Sequence, residues 1–491
     1  MRMEILHIPQ KPDINRDRLY AILSDAEAHR EPIEPILNRA KKLEGLTLSE
    51  TAQLLTIHDE AELALLLETA GYVKQKIYGR RIVLFAPLYI GNICSNDCLY
   101  CAFRAPNTQL VRKRLTLSEI EAETRALLRE GHKRILLLQG EDAKSSVNAL
   151  IQAIACIYNV TEPAPVTGKL QSIRRINVEV APMSVKEFSL LKQAKIGTYA
   201  CFQETYDPLV YSKYHKAGPK ADYDWRLSVM DRAMEAGIED VGLGALFGLA
   251  DYRFEVLALL EHAKHLERRF GAGCHTISIP RIEPAIGAPV SEHVPQPVSD
   301  RDFKKLVAVL RLALPYTGII LSTREQEQLR NELFHYGVSQ ISAGSRTNPG
   351  AYAGERSEHT TPGAGNTVPE KPGNAVNAEQ FQLGDHRSLK EVVLALAKDG
   401  YVPSFCTGCY RKGRVGSDFM DLAKPGLIQQ FCEPNAIFTC SEYIEDFLTN
   451  DEKTELQALY AKLIATYPGT ISSVIKRGLQ KIKAGERDVY V

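Results

Sequence analysis

Gly91-Asn92-Ile93-Cys94-Ser95-Asn96-Asp97-Cys98-Leu99-Tyr100-Cys101 is the stretch from which the rest of the chain can be read. Cys94, Cys98 and Cys101 stand in the spacing C-x3-C-x2-C, directly after the apolar run Ile82–Tyr89. Three thiolates on a cubane of four irons leave one iron open, so such a site can bind a small molecule as well as carry electrons. Zinc is the competing reading, and it asks for a fourth ligand close by. The residues that follow, Ala102-Phe103-Arg104-Ala105-Pro106, supply neither His nor Cys. A strand that runs straight into a ligand loop puts the ligands at its C-terminal end, the face on which α/β barrels carry their chemistry.

Working outward, the same alternation continues. Apolar strand-like runs fall at Ile82–Tyr89, Arg134–Gln139, Ile176–Ala181, Thr198–Gln203, Val241–Phe247, His275–Pro280, Gly318–Ser322 and Ser339–Ala343. Amphipathic segments lie between them, among them Leu117–Glu130, Val185–Ala194, Trp225–Ala236, Phe254–Arg269 and Asp302–Leu314. Eight repeats over residues 81–346 predict a closed (β/α)8 barrel of the TIM type; an open doubly wound sheet and a six-repeat barrel are the alternatives. Residues 1–80 read as a helical extension, with capping-box spacing at Thr47/Glu50 and again at Asp59/Glu62. Thr116 and Glu119 give the first barrel helix the same signal. Residues 347–382 contain a Gly/Pro-rich, low-complexity stretch that buries little apolar surface and reads as a mobile surface loop. Residues 383–491 read as a helical C-terminal domain interrupted by a second cysteine segment.

Composition narrows the class. Sixty basic and sixty acidic residues balance, which argues against a nucleic-acid or anionic-membrane partner. No apolar run approaches the roughly 20 residues that span a bilayer, and Met1–His7 carries no signal-like apolar stretch. Ten cysteines, several tightly clustered, point to metal in a reducing compartment, so the expected location is cytoplasmic.

The C-x3-C-x2-C spacing, with the aromatic Tyr100 just before its last cysteine, resembles the signature of radical S-adenosylmethionine (SAM) enzymes. The resemblance implies a 4Fe-4S cluster whose open iron holds the amino and carboxylate groups of SAM, and reductive cleavage of SAM to a 5′-deoxyadenosyl radical. Gly140-Glu141, at the end of the second strand, resembles the Gly-Glu motif that holds the SAM amino group in these enzymes. A glycine lets backbones approach and a carboxylate neutralises an ammonium; a turn followed by a helix-start acid is the plain alternative. Glu204, after the fourth strand, is a candidate to face SAM or substrate, against a helix-cap role. Arg226 is a candidate for the SAM carboxylate, against a solvated helix arginine. Arg324 and Ser342 follow or end neighbouring strands and are candidates to clamp a substrate carboxylate, against a capped turn with a surface arginine.

Near the other end, Cys406, Cys409 and Cys432 form C-x2-C-x22-C, again three thiolates without an evident fourth ligand. A second cluster with an open iron fits; a zinc site completed by Cys440 or a histidine is the alternative. Cys156, Cys201 and Cys274 have no cluster spacing and read as buried small residues. Both cysteine motifs together, with Cys409-Tyr410-Arg411-Lys412-Gly413-Arg414 and Lys424-Pro425-Gly426 around the second, resemble the HydG family, the radical SAM tyrosine lyases of FeFe-hydrogenase maturation. The resemblance covers nearly the whole chain.

It implies cleavage of L-tyrosine to p-cresol and dehydroglycine, and conversion of that fragment to carbon monoxide and cyanide on iron. It also implies two 4Fe-4S clusters, SAM, and an additional iron with a free cysteine at the auxiliary cluster, held partly by a histidine. A reductant such as ferredoxin or flavodoxin and other hydrogenase maturation proteins would be the partners. His275 begins the sixth strand, at the barrel end opposite the SAM site, and is the candidate histidine. By the same resemblance Arg324 and Ser342 would hold the tyrosine carboxylate. The tyrosine lyases of thiamine biosynthesis, which lack the C-terminal cluster and stop at dehydroglycine, and a non-catalytic iron–sulfur carrier are the alternatives.

Overall fold

The computed structural model describes residues 11–354, 378–424 and 426–491. Eight parallel strands form the body: β1 (Arg81–Gly91), β2 (Arg134–Gln139), β3 (Arg175–Glu179), β4 (Tyr199–Ala200), β5 (Val241–Gly244), β6 (Thr276–Ser278), β7 (Gly318–Leu321) and β8 (Gln340–Ser342). β8 returns to β1 through the register Val83↔Gln340, Leu84↔Ile341 and Phe85↔Ser342, so the sheet closes into the expected (β/α)8 barrel. The open-sheet and six-repeat alternatives fall.

β1 is the longest strand and explains the layout. Ile82, Leu84, Ala86, Leu88 and Ile90 are buried in the main core. On the other side of the same strand, Val83 lines a cavity at the base of the barrel and Tyr89 one at its mouth. This is the period-two alternation of a strand with helices on one face and a barrel interior on the other. At about 3.3 Å per residue, six residues separate the two cavities by about 20 Å.

Four helices precede the barrel: α1 (Arg16–Ala28), α2 (Glu34–Ala40), α3 (Leu48–Leu55) and α4 (Glu60–Tyr78). Thr47 and Glu50 make the expected capping box, whereas Asp59 caps α4 alone, accepting from the backbone of Ala61 and Glu62. α4 lies against the barrel helix Asp300–Ala313, and its last residue, Tyr78, donates to the Tyr316 carbonyl at 2.6 Å. The buried Lys305 donates to the Ile57 carbonyl at 3.0 Å.

Two expectations change. Trp225–Ala236 is not one helix but two, Tyr223–Leu227 and Val229–Glu235, broken where the Ser228 hydroxyl turns back onto the Asp224 carbonyl. A ninth strand, β9 (Val402–Ser404), pairs with the start of β1 at Arg81–Val83, before β2 takes its place from Ala86 onward. Short and carrying Pro403, β9 leaves no strand pattern in the sequence.

β9 leads into Cys406 and the helices Gly408–Arg411, Gly416–Ala423, Gln429–Phe447, Asn450–Ile464 and Gly469–Lys483. Much of the expected loop 347–382, namely 355–377, lies outside the described residues. Its two ends are built into the barrel and not loose on the surface. Tyr352 donates to the Pro87 carbonyl at 2.8 Å, and Gln380 receives a hydrogen bond from the Tyr89 hydroxyl at 2.7 Å.

Candidate active site and a second cysteine site

At the barrel mouth the loop after β1 carries Cys94, Cys98 and Cys101 into one cavity, which Gly140, Glu141, Glu204 and Arg226 also line. The loop is held on many sides. Arg112 donates to four carbonyls, those of Asn92, Phe103, Arg104 and Asn107, and the Asp97 and Leu99 amides bond the Ala217 and Tyr214 carbonyls at 2.9 and 3.1 Å. A Cβ on Gly140 would stand 2.3 Å from the Ile93 carbonyl oxygen, so only glycine lets β2 and the cysteine loop meet this closely.

Asn96 Nδ2 donates to Glu141 Oε2 at 2.7 Å and lies 3.6 Å from Cys94 Sγ, while its oxygen accepts from the Lys220 amide at 2.8 Å. Tyr100 packs with Cys98 in a small apolar cluster beside the cavity and bonds His215 Nε2 at 2.8 Å. His215 Nδ1 lies 2.8 Å from the Tyr211 carbonyl, an acceptor, so that nitrogen carries the proton and Nε2 accepts from Tyr100. Burial holds this imidazole neutral, its pKa lowered to about 3.

Glu204 has a left-handed backbone (φ 70°), unusual for a non-glycine residue and a mark of a constrained site. Burial opposes its charge, but Lys220, 2.6 Å away, and Arg226, at 3.9 Å, overcome this and hold its pKa below the ordinary value. Arg226 is buried and also donates to the Phe202 carbonyl at 2.6 Å, so it is no solvated helix residue. Arg324 lies flat on Phe381, 3.3 Å from the ring centre, with its charge felt by Glu179, Tyr89 and Glu204. Ser342 is buried beside it in the fold, its hydroxyl accepting from the Thr323 amide at 3.1 Å.

The second cavity lies at the base, at the starts of the strands. Cys406, Cys409, Cys432 and His275 line it together, with Arg81, Arg134, Asp240 and Tyr410. The His275 ring lies 3.4 Å from the Tyr410 hydroxyl and 3.5 Å from Asp240, and burial lowers its pKa, favouring the neutral, metal-binding form. Arg175 stacks on Tyr410 at 3.2 Å from the ring centre. Cys440 is elsewhere, buried against the Tyr460 hydroxyl at 3.2 Å, and does not complete a zinc set. Cys201 and Cys274 are buried as expected; Cys156 is only half-buried.

Both donor sets suit iron–sulfur clusters. All six thiols are free. Burial pushes Cys98 up to about 12 and raises Cys101 and Cys406, and a bound cation is what turns such thiols into thiolates. Among the described residues no group of three or more His, Cys, Asp or Glu is set for a single metal ion. At the base, the Nε–H groups of Arg81 and Arg414 are buried without hydrogen-bond partners, and cluster sulfur and anionic ligands are acceptors of the kind they lack.

Of the residues singled out in the sequence, the two sets of cysteines, Gly140, Glu141, Glu204, Arg226 and His275 line the two cavities, whereas Tyr100, Arg324 and Ser342 do not. Sequence reasoning missed Asn96, Glu179, Lys220, Gln380 and, at the base, Arg81, Arg134 and Arg175. The arginines had a signal: Arg81, Arg134 and Arg175 each open a barrel strand.

The chain matches the Radical SAM superfamily over residues 88–263 and the Biotin and Thiamin Synthesis associated domain over residues 278–402. It is similar to a crystal structure of HydG, a maturase of the FeFe-hydrogenase, with a TM-score of 0.88 and 43% identity, covering 97% of this chain and 99% of that one. The FeFe-hydrogenase maturase HydG from Carboxydothermus hydrogenoformans matches with a TM-score of 0.77 and 40% identity over 94% of this chain and 97% of that one. The 2-iminoacetate synthase of Escherichia coli (strain K12) is 29% identical over 369 residues, 75% of this chain and 89% of the relative.

Proposed function

Because this chain belongs to the HydG family of radical SAM enzymes, we propose that it cleaves L-tyrosine to p-cresol and dehydroglycine. The dehydroglycine would then give carbon monoxide and cyanide, delivered on iron for assembly of the FeFe-hydrogenase active site. The observation that carries this reading is the pair of three-cysteine cavities at opposite ends of one barrel, the lower one shared with His275.

Bound at the first cluster, SAM would supply the organic radical that takes a hydrogen atom from the tyrosine amino group. Cys94, Cys98 and Cys101 hold that cluster, Gly140 and Glu141 receive the SAM amino group, and Arg226 faces its carboxylate. Glu204, charged and clamped by Lys220, presents a fixed acceptor to SAM or substrate. Tyr100, tied to His215, fixes the loop between Cys98 and Cys101. Arg324, held flat on Phe381, and Ser342 orient the tyrosine carboxylate. Cys406, Cys409 and Cys432 hold a second 4Fe-4S cluster, and His275, with a free cysteine, holds an additional iron beyond it. A ferredoxin or flavodoxin supplies electrons, other hydrogenase maturation proteins receive the product, and the setting is cytoplasmic. Among the described residues no helix is long and apolar enough to cross a membrane.

The thiamine-pathway alternative shares the first half of this chemistry, and the E. coli relative is a 2-iminoacetate synthase. It leaves the lower cavity without a purpose. The Cys406→Ala variant separates the two. In an anaerobic assay with SAM, L-tyrosine and dithionite it should still make p-cresol and lose iron-bound products. A wild-type protein that makes p-cresol but neither cyanide nor carbon monoxide would favour the alternative.

A further inference from the structure

Three carboxylates line the cavity at the barrel mouth, and two have partners within the protein. Glu141 accepts from Asn96, and Glu204 is closed by Lys220 and Arg226. The third, Glu179, ends β3 and has no hydrogen-bond or ion-pair partner among the described residues. It shares the cavity with Cys94, Cys98 and Cys101 and feels the charge of Arg324. An unpaired, half-buried carboxylate in such a cavity calls for a cationic or hydrogen-bond-donating ligand.

We propose that Glu179 receives the α-amino group of the amino-acid substrate and takes one proton from it, so that a neutral amine faces the SAM side of the cavity. This rests on the amino-acid lyase reading above. In the step an N–H bond of the substrate ammonium breaks and an O–H bond of the Glu179 carboxylic acid forms. The electron pair stays on nitrogen, and an ammonium–carboxylate pair becomes a neutral pair. No oxidant or reductant is consumed.

The surroundings suit the task. Burial and the nearby Glu204 charge raise the Glu179 pKa to about 7, with Lys220, Arg226 and Arg324 acting in the opposite sense and the Tyr89 phenol also facing the cavity. A base poised near the working pH exchanges protons most effectively. A substrate carboxylate on Arg324 and an amino group on Glu179 would fix both ends of the α-carbon, leaving the side chain to one orientation.

The test uses the cluster-reconstituted full chain with SAM. L-Tyrosine should bind more tightly than 3-(4-hydroxyphenyl)propionate, which lacks the amino group, and in Glu179→Gln that preference should shrink by about tenfold. p-Cresol formation should rise with pH near 7 in the wild type, and in the variant it should fall by about tenfold or more and lose that rise. Iron content and SAM affinity should be unchanged, and Glu179→Asp should recover part of the activity. Unchanged preference and pH profile in Glu179→Gln would overturn the proposal, as would loss of SAM affinity, which would assign Glu179 to SAM. A wild-type protein that binds tyrosine no better than its deamino analogue and makes no p-cresol would instead remove the lyase reading itself.

Discussion

Asn96 Nδ2 donates a hydrogen bond to Glu141 Oε2 at 2.7 Å, joining the cysteine loop after β1 to the carboxylate after β2. The same carboxamide accepts from the Lys220 amide, on the far side of β4 in the chain, so one side chain ties three segments around the first cavity. Asn96→Ala should therefore weaken SAM binding by roughly tenfold while leaving iron at both cysteine sites. Equilibrium dialysis with labelled SAM, beside an iron determination, reads both.

Gly140→Ala should be more severe. The added methyl meets the backbone of Ile93, which cannot give as a flexible side chain would. The expected result is loss of the first cluster with the second retained, seen as a partial loss of iron and of the cluster signal that responds to SAM. Full iron content and normal SAM binding would show that the loop relaxes.

How far the sequence foretold this site depends on how its parts are joined. The eight strands were legible because each is an apolar run bounded by polar or glycine residues. The Cys94–Cys101 loop was legible because its three cysteines fall within eight residues. Glu179, Lys220 and Gln380 come from separate segments and meet only through the closed barrel, so no spacing announces them. Gln380 was hidden by composition: it ends a stretch poor in apolar residues, yet its amide reaches to 3.7 Å from Cys101 Sγ. For His275 the family resemblance asked for a histidine and the parallel order of the barrel told which end of the molecule it occupies, just before β6.

The Tyr100–His215 bond offers a stability test separate from catalysis. Tyr100→Phe leaves a buried imidazole nitrogen unpaired and should cost about 1–3 kcal/mol, much of which Tyr100→Phe/His215→Leu should recover. Denaturant titration of the three proteins measures it. The pH dependence has a definite sign. The buried histidine stays neutral down to about 3, whereas the unfolded chain protonates it near 6.5, so its contribution is fully present above about 6.5 and is lost as pH falls. Replacing His215 should flatten the acid loss of stability by about 1.4 kcal/mol per pH unit in that window.

His275→Ala separates the three thiols at the base from the imidazole beside them. The variant should keep its second cluster and its p-cresol formation, and should hold less iron than the wild type because the site beyond the cluster has lost a ligand. Iron content and magnetic resonance of the reduced protein check this; unchanged iron and unchanged spectra would give His275 a packing role against Tyr410 and Phe419.

The central claim, that one barrel makes diatomic ligands at one end and loads them on iron at the other, is tested most directly by infrared spectroscopy of a single anaerobic turnover with carbon-13-labelled L-tyrosine. The account requires p-cresol together with isotope-shifted bands of iron-bound carbon monoxide and cyanide, present in the wild type and absent from Cys406→Ala. p-Cresol without such bands, under conditions where both cysteine sites hold iron, would contradict it.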